Sequence, residues 1–409
     1  MTVVQKFGGT SVADPERIRE VAEHAVRTKR RGTDVVLVVS AMGKETDELL
    51  RLADDVSTSQ PGREMDMLIT AGERKAMALV AMAITDLGER AQSFTGSQAG
   101  FITDTTHKDA KILELRPERI TDALAAGVIP VIGGSQGVSI DKDVTFLGRG
   151  GSDTTAVAIA HALGAELCEL YTDVAGVYSA DPRVVSKARR MREITFDELL
   201  EMTATGCPKP AMRSVEFARR HGVKLHVRSA FTWEPGTIVT LSTESTETSD
   251  MEQAVVNAVT HDTSEAKVTV SGVSDQPGVA AEMFTVLADA GVNVDMIVQN
   301  VSDHGRTDIS FTVPHPDAER ATELINSLSG RLGNAGVGFD HDIGRVSVIG
   351  AGMKSNPGVA AKMFQVLAEN DINIEMISTS AIRISCVIQQ SQVEQAVEVL
   401  HTAFDLDVS

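Results

Sequence analysis

The chain has 409 residues, a formal net charge of −19 and 42% hydrophobic residues. That length exceeds a single core and predicts two or three domains. The acidic balance excludes a sequence-independent nucleic-acid binder, which needs a basic face, so an anionic substrate has to meet local positive charge. Three cysteines, Cys168, Cys207 and Cys386, have no metal-ligand spacing and fit a reducing compartment as packing residues. The first residues lack the charged and apolar regions of a signal peptide, and no apolar run reaches membrane-spanning length. A soluble cytoplasmic protein without a membrane or nucleic-acid partner is expected. The ten histidines form no His-x-x-x-His pair for zinc, and the Gly-x-x-x-x-Gly-Lys-Ser/Thr phosphate loop is missing.

In chain order, the apolar run Val3-Val4-Gln5 leads into Lys6-Phe7-Gly8-Gly9-Thr10-Ser11. Glycines let backbone amides approach an anion, a following helix N-terminus adds a favourable dipole, and Lys6 adds a compact positive charge, an order that suits a phosphate. Asp14 is then an N-cap with Pro15 at the first helical position, and Ile18, Val21, Ala22 and Ala25 make the apolar face. Buried strands are predicted over 34–39, 127–132 and 166–172, and helices over 15–31, 72–87, 116–126, 151–164 and 211–221. This alternation predicts an α/β sheet domain.

Three more loops follow apolar runs: Ser40-Ala41-Met42-Gly43, Gly133-Gly134-Ser135-Gln136-Gly137, and Leu147-Gly148-Arg149-Gly150-Gly151-Ser152-Asp153. Loops beyond the carboxyl ends of the strands line the ligand crevice of an open α/β sheet. Arg149 suits a carboxylate, Ser152 and the backbone amides suit phosphoryl oxygens, and Asp153 suits orienting a group or binding Mg²⁺. The competing reading for Ser152 and Asp153 is simple helix capping.

Residues 241–250 are polar and aperiodic and mark a linker. Beyond them the chain repeats at an offset of 80 residues: Asp275-Gln276-Pro277-Gly278-Val279-Ala280-Ala281 matches Ser355-Asn356-Pro357-Gly358-Val359-Ala360-Ala361, and Asn293, Met296 and Ile297 match Asn373, Met376 and Ile377. Each copy predicts a strand (267–271, 345–349), a Pro-Gly turn, an amphipathic helix and a strand beginning near Asn293 or Asn373. Two copies are too few for a solenoid, which leaves paired α+β modules.

Together Lys-Phe-Gly-Gly-Thr-Ser (6–11), Ser-Ala-Met-Gly (40–43), Thr-Ala-Gly-Glu-Arg (70–74), Gly-Arg-Gly-Gly-Ser-Asp (148–153) and Tyr-Ser-Ala-Asp-Pro-Arg (178–183) resemble the aspartate kinases of the amino acid kinase family with paired ACT domains. They are most similar to the actinobacterial members regulated by lysine and threonine. The resemblance implies a three-layer sandwich with a mainly parallel central sheet over 1–240, a linker over 241–250, and two ferredoxin-like ACT domains. These are 265–340, and 251–264 with 341–409. It implies transfer of the ATP γ-phosphoryl group to the side-chain carboxylate of L-aspartate, with Mg²⁺, as the first step of lysine, threonine and methionine biosynthesis. It assigns Lys6, Gly8, Gly9, Ser11, Thr172, Asp173, Tyr178, Asp181, Arg183 and Lys209 to ATP. Ser40, Thr46, Glu73, Arg149, Gly151 and Ser152 go to aspartate. Lys6, Arg149 and Asp153 are the catalytic set, with Asp153 organising Lys6; without the resemblance, Glu73 reads as a solvated helix residue.

For the repeat, the resemblance implies effector sites at Asp275, Gly278, Ala280, Asn293 and Gln299, and at Asp295 with Ser355, Asn373 and Ser380, where a lysine ammonium would meet Asp295. Lysine and threonine are the expected effectors. A homodimer through the ACT domains is expected, or a heterotetramer with a shorter regulatory subunit started internally at Met251. Strand 254–259 is expected to complete the second module. Three positions depart from the family pattern: Pro208 stands where lysine is expected, with Lys209 one place later, Ser135 replaces a bulkier apolar residue, and Ala175 replaces aspartate. The alternatives are another amino acid kinase, acting on glutamate, acetylglutamate or a nucleotide monophosphate, and a non-catalytic amino acid sensor.

Overall fold

Strands covered on both faces have no side left for water, and the nearly continuous apolar runs of this chain become such strands. The computed structural model describes residues 1–232, 234–241, 255–300, 304–333, 336–351, 353, 356 and 358–407. Its eight-stranded sheet runs Glu193–Thr195, Thr237–Thr240, Leu225–Ser229, Leu167–Thr172, Thr2–Phe7, Asp34–Val39, Ile129–Gly133 and Ala91–Phe94. Every neighbouring pair is parallel except Leu225–Ser229 with Thr237–Thr240. Side chains alternate across the sheet. On Thr2–Phe7 this sends Val3 and Phe7 into a core with the helices Pro15–Arg30 and Gly62–Asp86, while Lys6 points to the opposite face, where Gly151–Ala162 lies. Helices on both faces of a mainly parallel sheet make the expected three layers. A second sheet of four short strands, Ile112–Leu115, Phe101–Thr103, Gln136–Ser139 and Val144–Phe146, stands beside it.

The first helix begins as its sequence predicts, with the Asp14 carboxylate accepting from the Glu16 and Arg17 amides at 2.9 Å. The helix predicted over 72–87 begins ten residues earlier, at Gly62. Helices Glu45–Val56 and Phe196–Ala204 were not anticipated. In the repeat the strands expected near Asn293 and Asn373 begin at Ile297 and Met376.

The chain divides into two compact units, one of Met1–Tyr178, Arg190–Ala204 and Pro208–Glu247, the other of Ser179–Arg189, Thr205–Cys207 and Thr248–Ser409. The second unit therefore takes two short excursions from within the first 240 residues. Ser179 shows how one of them is held: its carbonyl accepts from the Val259 amide at 2.7 Å and its hydroxyl bonds His401 at 2.9 Å. The linker beyond Leu241, with Met251, Ala254 and Ser355, lies outside the described residues.

Two antiparallel four-stranded sheets build the second unit. One contains Ile297–Gln299, Arg306–Pro314, Glu265–Ser274 and Gly336–Asp340; the other contains Val255–Asp262, Ile343–Ala351, Arg383–Gln389 and Met376–Thr379. The strand just after the linker thus pairs with Ile343–Ala351, across the intervening module. The repeat is also visible in the contacts between the two sheets. Lys267 pairs with Glu375, and Arg345 pairs with Asp295, the residue 80 positions before Glu375. Met296 and its repeat mate Met376 share a cluster with Ile343 and Val387. Arg345 is 2% exposed and also faces Asp262 at 3.4 Å and Glu265 at 3.6 Å. Removing one buried charge strands its partners. Arg345→Ala is accordingly expected to destabilise the second unit by about 3 kcal/mol, seen as a lower denaturant midpoint at pH 7.

Candidate active site

The site grows from Lys6, carried near the carboxyl end of a central strand and only 5% exposed. A buried ammonium needs a partner. Asp153, 3% exposed in the first turn of Gly151–Ala162, supplies it at 2.6 Å. The Ala211 amide donates to the other Asp153 oxygen at 3.0 Å. Burial pushes this carboxyl up, but the Lys6 ammonium, the Ala211 amide and the Lys209 charge outweigh it and hold Asp153 below the usual carboxylate range. Lys209 therefore lies close enough to act electrostatically on Asp153 despite its shift along the sequence. It sits in a loop with a cis Lys209-Pro210 bond.

Around this pair the loops approach more closely than side chains would permit. A Cβ on Gly9 would lie 2.8 Å from the Ala41 carbonyl oxygen and 3.0 Å from that of Gly43. Gly150 is left-handed (φ +73°), and a Cβ there would sit 2.3 Å from Ala211 Cβ; one on Gly134 would sit 2.6 Å from Ser152 Oγ. The expectation that Gly8 offers its amide to an anion changes, because that amide donates to the Tyr171 carbonyl at 3.3 Å. What Gly8 contributes is room: a Cβ would lie 3.6 Å from Lys6 Nζ. Ser11 is buried at 1% exposure, and its hydroxyl has no hydrogen-bond partner among the described residues. A buried hydroxyl without a partner is costly and calls for one from outside the chain, a water or a ligand atom.

Capping does not explain Ser152 and Asp153. The N-cap is Gly150, without a side-chain capping bond, and Ser152 Oγ instead meets Ser135 Oγ at 2.9 Å. Ser135 is itself left-handed (φ +58°), with its amide donating to Thr155 Oγ1 at 3.1 Å. Arg149 is exposed, and its guanidinium has no partner among the described residues. Glu73 is buried at 3% exposure rather than solvated, and one of its oxygens lacks a partner. Burial pushes its carboxyl from an ordinary 4.5 to about 7. Its helix packs closely on the 40–43 loop, since a Cβ on Gly72 would lie 2.8 Å from Ala41 Cβ. Ser40 and Thr46, at either end of that loop and its following helix, are half-buried.

Thr172 ends the strand next to Lys6, and its hydroxyl donates to Asp173 at 2.8 Å. Tyr178 bridges to Arg190 in the same unit. Asp181 and Arg183 belong to the excursion grouped with the second unit, where they form a bidentate pair at 2.6–3.1 Å that holds Asp181 below the usual carboxylate range. In that unit Gly278 is left-handed (φ +99°) at the start of Val279–Asp289, with open space where a Cβ would point. Ala280 lies in the first turn of that helix, and the Asp275 amide donates to the Gly305 carbonyl at 3.0 Å. Asn293, Gln299 and Asn373 are exposed. The Ser380 amide donates to the Arg383 carbonyl at 2.8 Å, and Asp295 is engaged by Arg345. The contacts of Ala211 and Ser135 were not legible in sequence: a backbone amide leaves no signal, and Ser135 registers only as a departure from a pattern.

Two outcomes follow from this geometry. Gly9→Ala has to displace backbone, and is expected to destabilise the protein by about 1–3 kcal/mol in a denaturant melt. For Glu73, the unfolded chain releases its proton near 4.5 and the folded one near 7. The stability it contributes is present below pH 4.5 and lost as pH rises through 7. Glu73→Gln is therefore expected to melt higher than the parent at pH 8, by an amount worth about 3 kcal/mol, with no gain at pH 4.

A model of the amino acid kinase family matches residues 1–229, and one of the ACT domain matches 268–327 and 346–404. The chain is 55% identical over 407 residues to an aspartokinase of Mycolicibacterium smegmatis, covering 99% of this chain and 96% of that protein. Aspartokinase III of E. coli, solved in complex with lysine and aspartate, is 25% identical with a TM-score of 0.75, over 98% of this chain and 99% of that one. The same enzyme solved with aspartate and ADP superposes at a TM-score of 0.84 and 24% identity, over 98% and 99%, a likeness of fold. Identity above half spans both the kinase-matched and the ACT-matched segments, so the chain belongs to the aspartokinases, the aspartate kinases of the amino acid kinase family that carry ACT domains.

Proposed function

We propose that the site on Lys6 and Asp153 transfers the γ-phosphoryl group of ATP to the side-chain carboxylate of L-aspartate, giving 4-phospho-L-aspartate. The observation that carries the reading is a buried lysine fixed by a carboxylate, with the partnerless Ser11 hydroxyl in the segment that follows its strand. A carboxylate is already a nucleophile at pH 7, so no general base is needed. The work left to the protein is alignment and charge stabilisation in a loose transition state. Lys6 faces the transferring phosphoryl group, and Asp153 keeps its ammonium charged and aimed. Gly8 and Gly9 leave room for the phosphates and Ser11 donates to them. Thr172, Asp173 and Tyr178 form the nucleotide side with Lys209.

On the aspartate side, the unpaired Arg149 guanidinium takes a carboxylate and the unpaired oxygen of Glu73 takes the ammonium group, with Ser40, Thr46, Gly151 and Ser152 around them. Among the described residues no cluster of three His, Cys, Asp or Glu side chains suits a metal ion. Magnesium would enter as its complex with ATP, held by phosphate oxygens and water, and its charge would lower the repulsion between the two substrates.

The ACT modules bind amino acid effectors, lysine and threonine acting together. The lysine complex of the E. coli relative supports the lysine half of this reading. One site is Asp275, Gly278, Ala280, Asn293 and Gln299; the other is Asp295 with Ser355, Asn373 and Ser380. At the second site a lysine ammonium competes with Arg345 for Asp295. Inhibition requires that effectors favour a less active arrangement, since equal affinity for both states shifts nothing. The enzyme works in the cytoplasm at the first step of lysine, threonine and methionine biosynthesis. It acts as a dimer through its ACT domains or with a shorter regulatory chain begun at Met251.

Acyl phosphate trapped with hydroxylamine from ATP and L-aspartate tests both parts. Formation suppressed mainly by lysine plus threonine supports the reading, and absence of the product sinks the reaction assignment. Lys6→Ala is expected to lower kcat by more than about a thousandfold and, because it strands the buried Asp153, to lower the melting temperature as well; near-normal kcat in the folded variant would remove Lys6 from the mechanism.

A further inference from the structure

Asp66 takes no part in the machinery above, yet its side chain is completely buried, at 0% exposure. It lies on the helix Gly62–Asp86, four residues before Thr70 and seven before Glu73, a spacing that puts all three on one face. Thr70 donates back to the Asp66 carbonyl at 2.8 Å. Both carboxylate oxygens are used: Oδ2 meets His107 Nδ1 at 2.7 Å and Oδ1 accepts from the Lys108 amide at 2.9 Å. The carboxylate makes Nδ1 the protonated nitrogen of His107. Gly62 makes space for this contact, because a Cβ there would lie 2.8 Å from His107 Cβ.

The loop so anchored is joined on its far side to the turn that carries Arg149. The Ala110 amide donates to the Phe146 carbonyl at 2.9 Å. Arg213 donates to the Leu147 carbonyl at 2.6 Å and to the Ala110 carbonyl at 2.8 Å, joining the two segments through one guanidinium. Gly148 is left-handed (φ +83°), and a Cβ on it would sit 2.8 Å from Asp109 Oδ1. Arg149 follows directly. Its guanidinium has no partner of its own, so its placement comes from the backbone beneath it.

We propose that Asp66 is a positioning residue: through His107 and Lys108 it anchors the 104–111 loop, and through that loop the turn that presents Arg149. The consequence for catalysis rests on Arg149 being the partner of the aspartate carboxylate. Asparagine keeps the shape of Asp66 but cannot accept both bonds, and His107→Asn cuts one bond from a partly exposed position.

The test is hydrogen exchange on the full chain without substrates, combined with steady-state kinetics. Asp66→Asn is expected to speed exchange of the 147–152 peptide by about tenfold, with the Thr2–Phe7 peptide unchanged, and His107→Asn to do so less. The KM for aspartate is expected to rise about tenfold while the KM for ATP stays within about twofold. Unchanged exchange at 147–152 in a folded variant overturns the proposal. If Asp66→Asn does not fold, His107→Asn decides by the same criterion. Faster exchange at 147–152 with an unaltered KM for aspartate upholds the anchor and instead refutes Arg149 as the partner of aspartate.

Discussion

The buried pair between Lys6 and Asp153 is the contact on which the first unit is arranged. Neither charge is tolerable alone at their few per cent exposure. Each needs the other, and the Ala211 amide completes the second oxygen of Asp153. The pair ties the central strand to the N-terminus of the helix on its opposite face, which is also where a helix favours negative charge. The 8–11, 148–153 and 209–211 segments thus converge on one point, although about 200 residues separate the first from the last.

Convergence of that many loops requires backbone to approach backbone. The glycines of the motifs serve this more than they serve a ligand: Gly9 lies against the 41–43 loop, Gly134 against Ser152, and Gly150 against Ala211. Close packing uses up most polar groups in mutual contacts. The exceptions then carry information. Among those exceptions, alongside buried atoms such as Gln5 Oε1 and Gln136 Nε2, are the Ser11 hydroxyl and one oxygen of Glu73, while the exposed Arg149 guanidinium has no partner among the described residues. A hydroxyl donor, an acidic acceptor and a cation left over in this way are the groups on which the proposed phosphate, ammonium and carboxylate contacts rest.

In the second unit the 80-residue repeat produces reciprocal contacts. Arg345 with Asp295 and Lys267 with Glu375 are the same contact made in two directions, on either side of a methionine-centred cluster. They are unequal. Arg345 is buried among three carboxylates, and burial pushes the Glu265 carboxyl up even with the guanidinium beside it. That imbalance leaves excess negative charge around Arg345.

The sequence by itself determined the strand cores, the first helix, the repeat and the residue types of the site. Those depend on local rules: apolar continuity for Val35 to Val39, capping by Asp14, periodicity from Ile18 to Ala25, and self-similarity at a fixed offset. The tertiary structure alone decided what depends on contact across distance. Glu73 reads as solvated until the 40–43 loop covers it. The Gly62–Asp86 helix begins ten residues before its predicted start, and its early turns hold Asp66, buried against His107, a contact no local pattern encodes. Gly8 loses its amide to Tyr171, and Asp295 acquires Arg345 as a partner from the other module. Propensity and periodicity are properties of a segment, whereas burial, pairing and the absence of a partner belong to the packed chain.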